Sequence, residues 1–293
     1  MIPALTQRAK RIQPSLFSLD HVTAEAIAFL RKHEPPEGYF LGFSGGKDSI
    51  VTEHLCRMAG VQFTAYYSAT GIDAPEVVRF IRKHYPQVLW LHPAISFWEG
   101  IRKKSPPLRM MRWCCDTLKK DPSKHIPLKK RVMGIRAEES ASRAARGRIS
   151  KIGNINQIKP IFHWQEWHVW EFLDVHQLPY PCLYDEGFNR IGCVICPYFM
   201  HKNQSQVMRH AMRWPQYYKL FEKTVADWHN NYSEKKDRFN EESPAEYLEA
   251  YYRGFENGPD TEASPEPNAL MEYGADQPAP PNPLMDSCGD QAA

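Results

Sequence analysis

From Gly38 the chain runs through a short apolar stretch, GYFLGF, directly into Ser44-Gly45-Gly46-Lys47-Asp48-Ser49, and on into a helical pattern over Ser49 to Met58 that stops at Gly60. An apolar run of this length is the pattern of a strand buried on both faces. The two glycines after it let the backbone turn sharply, and the helix that follows begins with unpaired N–H groups at the positive end of its dipole. Strand, glycine turn and helix N-terminus together form a cradle for an anion such as phosphate. The hydroxyls of Ser44 and Ser49 add donors, and Lys47 adds a charge. The spacing is neither the G-x-x-x-x-G-K-[ST] of a Walker loop nor the G-x-G-x-x-G of a dinucleotide fold, so neither a kinase-like ATPase nor a dehydrogenase is indicated.

The rest of the chain repeats the alternation. Val22, Ala26, Ile27 and Leu30 set a helix over His21 to His33, which Pro35-Pro36 ends. Val61 to Tyr67 reads as a strand, Pro75 to His84 as a helix, and Val88 to Leu91 as a strand. Arg131 to Ile135 supplies a fourth strand and Ile158 to Phe162 a fifth element; the Arg-, Ser- and Gly-rich Ala137 to Lys151 between them reads as a mobile loop near phosphates. Gln165 to His176 and Gln204 to His229 are helical in pattern. Strands alternating with helices of about ten residues imply right-handed crossovers and a mostly parallel sheet. The fold class is α/β, and 293 residues at 42% hydrophobic can fill one or two such cores.

The formal charge of +3 hides a strong asymmetry. After Arg253 there is no Lys or Arg, while eight acidic residues and seven prolines occur, the composition of a disordered tail. Ile101 to Lys151 carries 16 Lys or Arg against Asp116, Asp121, Glu138 and Glu139. Such a stretch suits an anionic partner, nucleotide phosphates or a nucleic-acid backbone, or else is a solvated basic face. No apolar run approaches a membrane span, and Met1 to Pro14 lacks the features of a secretory signal, so no membrane partner and a cytoplasmic location are expected.

Seven cysteines are too few for a disulfide scaffold of this size, and four of them cluster: Cys114-Cys115, and Cys193 with Cys196 in a CxxC. Adjacent cysteines fit two corners of one tetrahedral zinc site only with strain, whereas a cubane offers a separate iron to each thiolate. The pattern therefore favours a [4Fe-4S] cluster on Cys114, Cys115, Cys193 and Cys196, with zinc, a redox disulfide or inert buried thiols as alternatives. Cys56 and Cys182 read as core thiols.

Phe43 to Ser49, F-S-G-G-K-D-S, resembles the PP-loop of the ATP pyrophosphatases and the phosphoadenosine phosphosulfate (PAPS) reductase-like proteins, within the adenine nucleotide alpha hydrolase superfamily. Thr70-Gly71-Ile72-Asp73-Ala74-Pro75-Glu76, Gly134-Ile135-Arg136, Lys159-Pro160-Ile161, Trp164 to Trp170, and Leu178-Pro179-Tyr180-Pro181 with Leu183-Tyr184-Asp185-Glu186-Gly187 follow in the family's order. His168 stands where an aspartate is usual. The Cys-Cys and Cys-x-x-Cys arrangement resembles that of iron-sulfur sulfonucleotide reductases and of the PP-loop enzyme of DNA phosphorothioation.

The resemblance implies a doubly wound, HUP-type parallel sheet. It divides the chain into an N-terminal arm and helix (1–36), a nucleotide-binding domain (37–200), a helical extension (201–253) and an acidic Pro-rich tail (254–293). It implies an adenine nucleotide held by Ser44, Gly45, Gly46, Lys47, Asp48, Ser49, Gly71 and Arg136, with Mg²⁺ and with Lys47, Asp48 and Arg136 as the catalytic groups. Arg143, Arg146 and Arg148 are further phosphate-facing candidates. The intact Ser-Gly-Gly-Lys-Asp-Ser string is closer to enzymes that cleave ATP to AMP and pyrophosphate, and so points to adenylation coupled to sulfur transfer. The acceptor would be a nucleic acid, as in DNA phosphorothioation or tRNA thiolation, and the sulfur donor a protein such as a cysteine desulfurase. One alternative is a PAPS or adenylyl-sulfate (APS) reductase with a thioredoxin-like partner. Its nucleophile would have to be Cys288, which lacks the expected flanking Glu and His. A non-catalytic nucleotide-sensing protein is the other.

Overall fold

The computed structural model describes residues 18–200, 204–231 and 243–253. The acidic tail and Cys288 lie outside the described residues. The chain divides into two compact units: Met1–Ala69, Pro75–His92 and Ser123–Gly192 form one, and Thr70–Ala74, Pro93–Pro122 and Cys193–Ala293 the other.

The first unit is built on one sheet of six strands in the order β3-β2-β1-β4-β6-β5, with β1 Tyr39–Gly42, β2 Phe63–Ser68, β3 Leu89–Leu91, β4 Lys130–Met133, β5 Ile149–Ile152 and β6 Ile155–Ile158. All neighbours are parallel except β5 and β6, which form an antiparallel hairpin. Leu41 sits at the middle, paired to Ala65 on one side and to Val132 on the other, and is fully buried. Helices α1 (Leu19–His33), α2 (Lys47–Ala59) and α3 (Pro75–His84) link or flank the parallel strands. The sheet is thus the doubly wound α/β arrangement that the alternation predicts.

The chain grows outward from β1 through β2 to β3, then returns to the other side of β1 as β4. This reversal is a topological switch point: the loops that leave the carboxyl ends of β1 and β4 diverge and open a crevice between them, where ligands of such sheets bind.

The expected mobile loop at Ala137 to Lys151 is a correction. It contains a 3₁₀ turn, Ala137–Glu139, a helical turn, Ala141–Ala144, and the outer strand β5. The fifth element ends at Ile158 rather than beginning there, because a turn at Gly153-Asn154 folds the segment into the hairpin. Helix α5, Glu166–Val175, follows as expected.

In the second unit, α4 (Phe97–Lys103), the helical turn Trp113–Cys115 and helices α6 (Gln204–Arg213), α7 (Pro215–Asn231) and α8 (Pro244–Arg253) pack largely through aromatic side chains. Phe97, Phe221, Tyr247 and Tyr251 are essentially fully buried there. The single helical pattern read over Gln204 to His229 is two helices, because Pro215 cannot continue the hydrogen-bond ladder of α6 and instead begins α7. No helix among the described residues is long and apolar enough to cross a membrane.

Candidate functional site

At the switch point the β1 loop presents the predicted phosphate cradle. Gly45 has φ +73°, and a Cβ there would stand 2.9 Å from Ile81 Cδ1, so the turn needs glycine for both its conformation and its space. The Ser49 hydroxyl donates to Gly46 O (2.8 Å) and accepts from the Ser44 amide (3.2 Å), with the Ser44 hydroxyl also 3.2 Å away. The two serines therefore set the loop's shape as well as lining it.

Lys47 and Arg136 are both buried and both meet Asp48. Arg136, from the loop after β4, donates through Nε to Asp48 Oδ1 at 2.6 Å and through Nη1 to Glu138 Oε2 at 2.8 Å. Burial opposes its charge, but Asp48, Glu138 and Glu139 outweigh that and raise its pKa. Gly134 makes this reach feasible: a Cβ there would lie 2.6 Å from the Asp48 carbonyl oxygen. The two diverging loops are therefore joined through one aspartate.

The Lys47 ammonium lies 3.5 Å from Asp48 Oδ2 and 3.8 Å from Glu166 Oε1, and donates to Asn189 O at 3.4 Å. It also stands over the rings of Tyr184 (5.3 Å) and Trp170 (5.9 Å). The Lys47 amide, at the first residue of α2, donates to the Tyr184 hydroxyl at 3.0 Å. A phenol oxygen thus occupies a helix N-terminal donor of the kind that binds phosphate. Desolvation is the main reason that this phenol's pKa is raised, so it stays protonated.

No sequence motif assigns a role to Tyr184, Trp170, Glu138 or Glu166. The signal was the string around Leu183-Tyr184-Asp185, but which atom Tyr184 meets, 137 residues earlier in the chain, is a tertiary fact. His168, in the place of the usual aspartate, is buried and accepts the Gln165 amide on Nδ1 at 2.9 Å, so it caps α5. Arg148 ion-pairs with Glu25 and stands over the Phe29 ring, 3.7 Å from its centroid, and Arg143 pairs with Glu139. Both are committed to neighbouring side chains rather than held open for a phosphate.

Gly71 belongs to the second unit. Its turn is held by the Thr70 amide and hydroxyl, which donate to Asp73 Oδ2 at 2.9 and 2.8 Å, and it pairs with the CxxC segment through an Asp73–Cys193 bridge and Val194 N–H to Ile72 O at 2.7 Å. His210 Nδ1 (3.0 Å) and the Tyr218 hydroxyl (3.5 Å) meet the Val194 carbonyl from the other helices of this unit. Cys114 is buried, and Cys115, Cys193 and Cys196 are half-buried. Cys56 is a buried core thiol as expected, whereas Cys182 is not a core thiol: it is half-buried and disulfide-bonded.

The four clustered thiols share one electrostatic neighbourhood. The Cys114 thiol is pushed up by its hydrogen bond to Cys115, by burial and by the fields of Cys115, Cys193 and Cys196. The same hydrogen bond, with Lys119, Arg112 and Lys120 nearby, pulls Cys115 down. Lys119 also faces Cys193 and Asp73, which raise its pKa. Among the described residues no three Cys, His, Asp or Glu side chains converge as a ready site for one ion. A cubane asks for something wider, with each sulfur on a different iron, and four thiols beside Arg112, Lys119 and Lys120 match it in donor type, number and compensating charge.

Residues 38–198 match the phosphoadenosine phosphosulfate reductase domain. The chain belongs to that family. Every candidate residue above, in the loop and in the cysteine group, lies within the matched range. An uncharacterized protein of Methanocaldococcus jannaschii is 32% identical over 237 residues, covering 76% of this chain and 47% of that protein. The phosphoadenosine 5'-phosphosulfate reductase of Xanthomonas campestris pv. campestris is 27% identical over 211 residues, covering 61% of this chain and 82% of the reductase. The phosphate complex of phosphoadenylyl-sulfate reductase from Candida auris is similar with a TM-score of 0.46 and 20% identity, covering 62% of this chain and 97% of that one. The chain spans roughly half the length of several curated relatives that it matches.

Proposed function

We propose that this protein binds ATP at the Ser44–Ser49 loop, cleaves it between the α- and β-phosphates, and couples the resulting adenylate to sulfur transfer. The observation that carries this reading is the convergence of Lys47 and Arg136 on Asp48 at the switch point, beside an intact serine-glycine loop. An oxygen of the acceptor attacks the α-phosphorus and pyrophosphate departs. A sulfur nucleophile then displaces AMP, which leaves with that oxygen. Lys47 and Arg136 neutralise charge on the departing pyrophosphate, and Asp48 orients both cations and is placed to meet the Mg²⁺ that accompanies ATP. Cys114, Cys115, Cys193 and Cys196 fit a [4Fe-4S] group, which when bound supplies iron able to hold sulfur or pass electrons.

A second reading, reduction of a sulfonucleotide to sulfite, draws on the similarity to the Xanthomonas reductase. Incubating the anaerobically purified protein with labelled ATP, Mg²⁺ and a nucleic-acid acceptor, or with labelled PAPS and a dithiol reductant that supplies the two electrons, separates the two. AMP with pyrophosphate supports the first and sulfite the second; release of neither, with nucleotide bound intact, refutes both. Iron and acid-labile sulfide measured on the same preparation test the cluster, and an iron-free protein with four reactive thiols removes it.

A further inference from the structure

The segment that leads into Cys114 carries a surface that neither the phosphate loop nor the thiols require. Met110 and Met111 are 87% and 55% exposed, and Tyr198, two residues after Cys196, is 42% exposed. The guanidiniums of Arg109 and Arg112 lie 5.5 and 5.3 Å from the centroid of the Tyr198 ring. Two thioethers held in water gain nothing for folding, and their exposure grouped beside a part-exposed aromatic ring marks a contact surface.

The segment is also held in place. Tyr251 donates to Pro107 O at 2.6 Å, and the Trp113 indole donates to Ser105 O at 3.0 Å. Trp113 packs so closely on α4 that a Cβ on Gly100 would lie 2.1 Å from its ring. The exposed residues are therefore presented by a fixed backbone.

The charge of this stretch selects the partner. Ile101 to Pro122 has seven Lys or Arg against Asp116 and Asp121, and Asp116 is already paired with Lys120 at 2.6 Å. Cations beside a half-exposed aromatic ring, flanked by soft apolar side chains, combine phosphate contacts with a stacking platform for an unpaired base. An acidic protein would use the charges but not the ring.

We propose that Arg109, Met110, Met111, Arg112 and Tyr198 form a docking surface for single-stranded nucleic acid, with a base on Tyr198 and the methionines and phosphates on the two arginines. Its purpose, bringing an acceptor to the thiols, rests on the sulfur-transfer reading; its existence does not. Arg112 and Tyr198 each lie two residues along the chain from a candidate cluster ligand, Cys114 and Cys196.

The test is anisotropy titration of a fluorescent twelve-nucleotide single-stranded RNA, and of the same sequence as DNA, with the full chain kept anaerobic, at several salt concentrations. Tyr198→Ala should weaken binding roughly 5- to 150-fold, the range for losing one stacked base. Tyr198→Phe, which keeps the ring, should bind as the parent does. Arg109→Gln with Arg112→Gln should lower the slope of log K against log salt by about 1.4, the value for two phosphates of a single strand. Pyrophosphate release from ATP is measured in parallel. Oligonucleotide binding that depends on Tyr198 without ATP cleavage keeps the surface and removes the adenylation reading. ATP cleavage with no oligonucleotide binding, equal binding by Tyr198→Ala, or polyglutamate bound as tightly as RNA overturns the surface.

Discussion

Replacing Tyr184 with Phe removes one oxygen from beside the Ser44–Ser49 loop and leaves the ring under Lys47. That oxygen accepts the Lys47 amide at 3.0 Å, and the side chain is half-buried. A neutral hydrogen bond of this kind contributes about 1 kcal/mol net. In the free protein the variant should therefore be about 1 kcal/mol less stable, or somewhat less where water refills the amide, which for a chain of this size lowers Tm by roughly 2–4 °C. The effect on ligand binding has the opposite sign. A phosphate oxygen arriving at the Lys47 amide must displace the phenol in the parent protein and meets no competitor in the variant. Tyr184→Phe should thus bind ATP, and pyrophosphate alone, about fivefold more tightly, the equivalent of about 1 kcal/mol. Isothermal titration of both ligands, with thermal melts of the free proteins, reads both effects. A lower Tm together with tighter binding establishes the phenol as an occupant of the anion site. If the variant instead binds ATP more weakly, the hydroxyl contacts the nucleotide and the displacement argument is wrong; equal affinity means that the phosphates never reach this amide.

Gly45→Ala forces a side chain into the left-handed region, which costs about 1–2 kcal/mol, and against Ile81; thermal melts should show that loss and titration should show nucleotide binding reduced at least tenfold. Arg136→Gln leaves Asp48 and Glu138 without their shared cation. A fully buried pair broken this way costs about 3–5 kcal/mol, and because Glu138 is half-exposed the expected loss in urea unfolding is nearer 2 kcal/mol. Glu222 on α7 accepts from the Tyr252 hydroxyl at 3.1 Å, and burial raises its pKa above the usual 4.5. Since the folded value is the higher one, its ionisation costs stability, and the cost is absent below the unfolded pKa and grows as pH rises through the folded one. Glu222→Gln should accordingly raise Tm at pH 7 and lose that advantage at pH 4; an advantage that does not change with pH would contradict the burial argument.

Much of the first unit could be read directly, because its signals are local. Bulky apolar residues in Tyr39 to Leu41, two glycines and a helical period define β1, the loop and α2 within one contiguous stretch, and Pro75 to His84 is a helix to the residue. The β5–β6 hairpin escaped because Ile149, Ile152, Ile155 and Ile158 recur every third residue, across a two-residue turn, in place of the alternation of two that marks a strand. Local motifs single out Lys47, Asp48 and Arg136. Their meeting at one carboxylate follows from the strand order, which places β4 beside β1, and strand order is not written in any local pattern. The same reason hid Tyr184 and Glu166, which act on the loop from more than a hundred residues away.

The hydrogen bond from Tyr251 to Pro107 closes a loop of 144 residues. A ribosome adding about 5–20 residues each second needs on the order of ten seconds to travel from the Cys114-Cys115 pair to the helix that carries Tyr251. The sheet unit is complete at Gly192, before that helix has been made. During synthesis the β1 loop and its sheet can therefore be in place while the Cys114-Cys115 segment still waits for the helix that anchors Pro107.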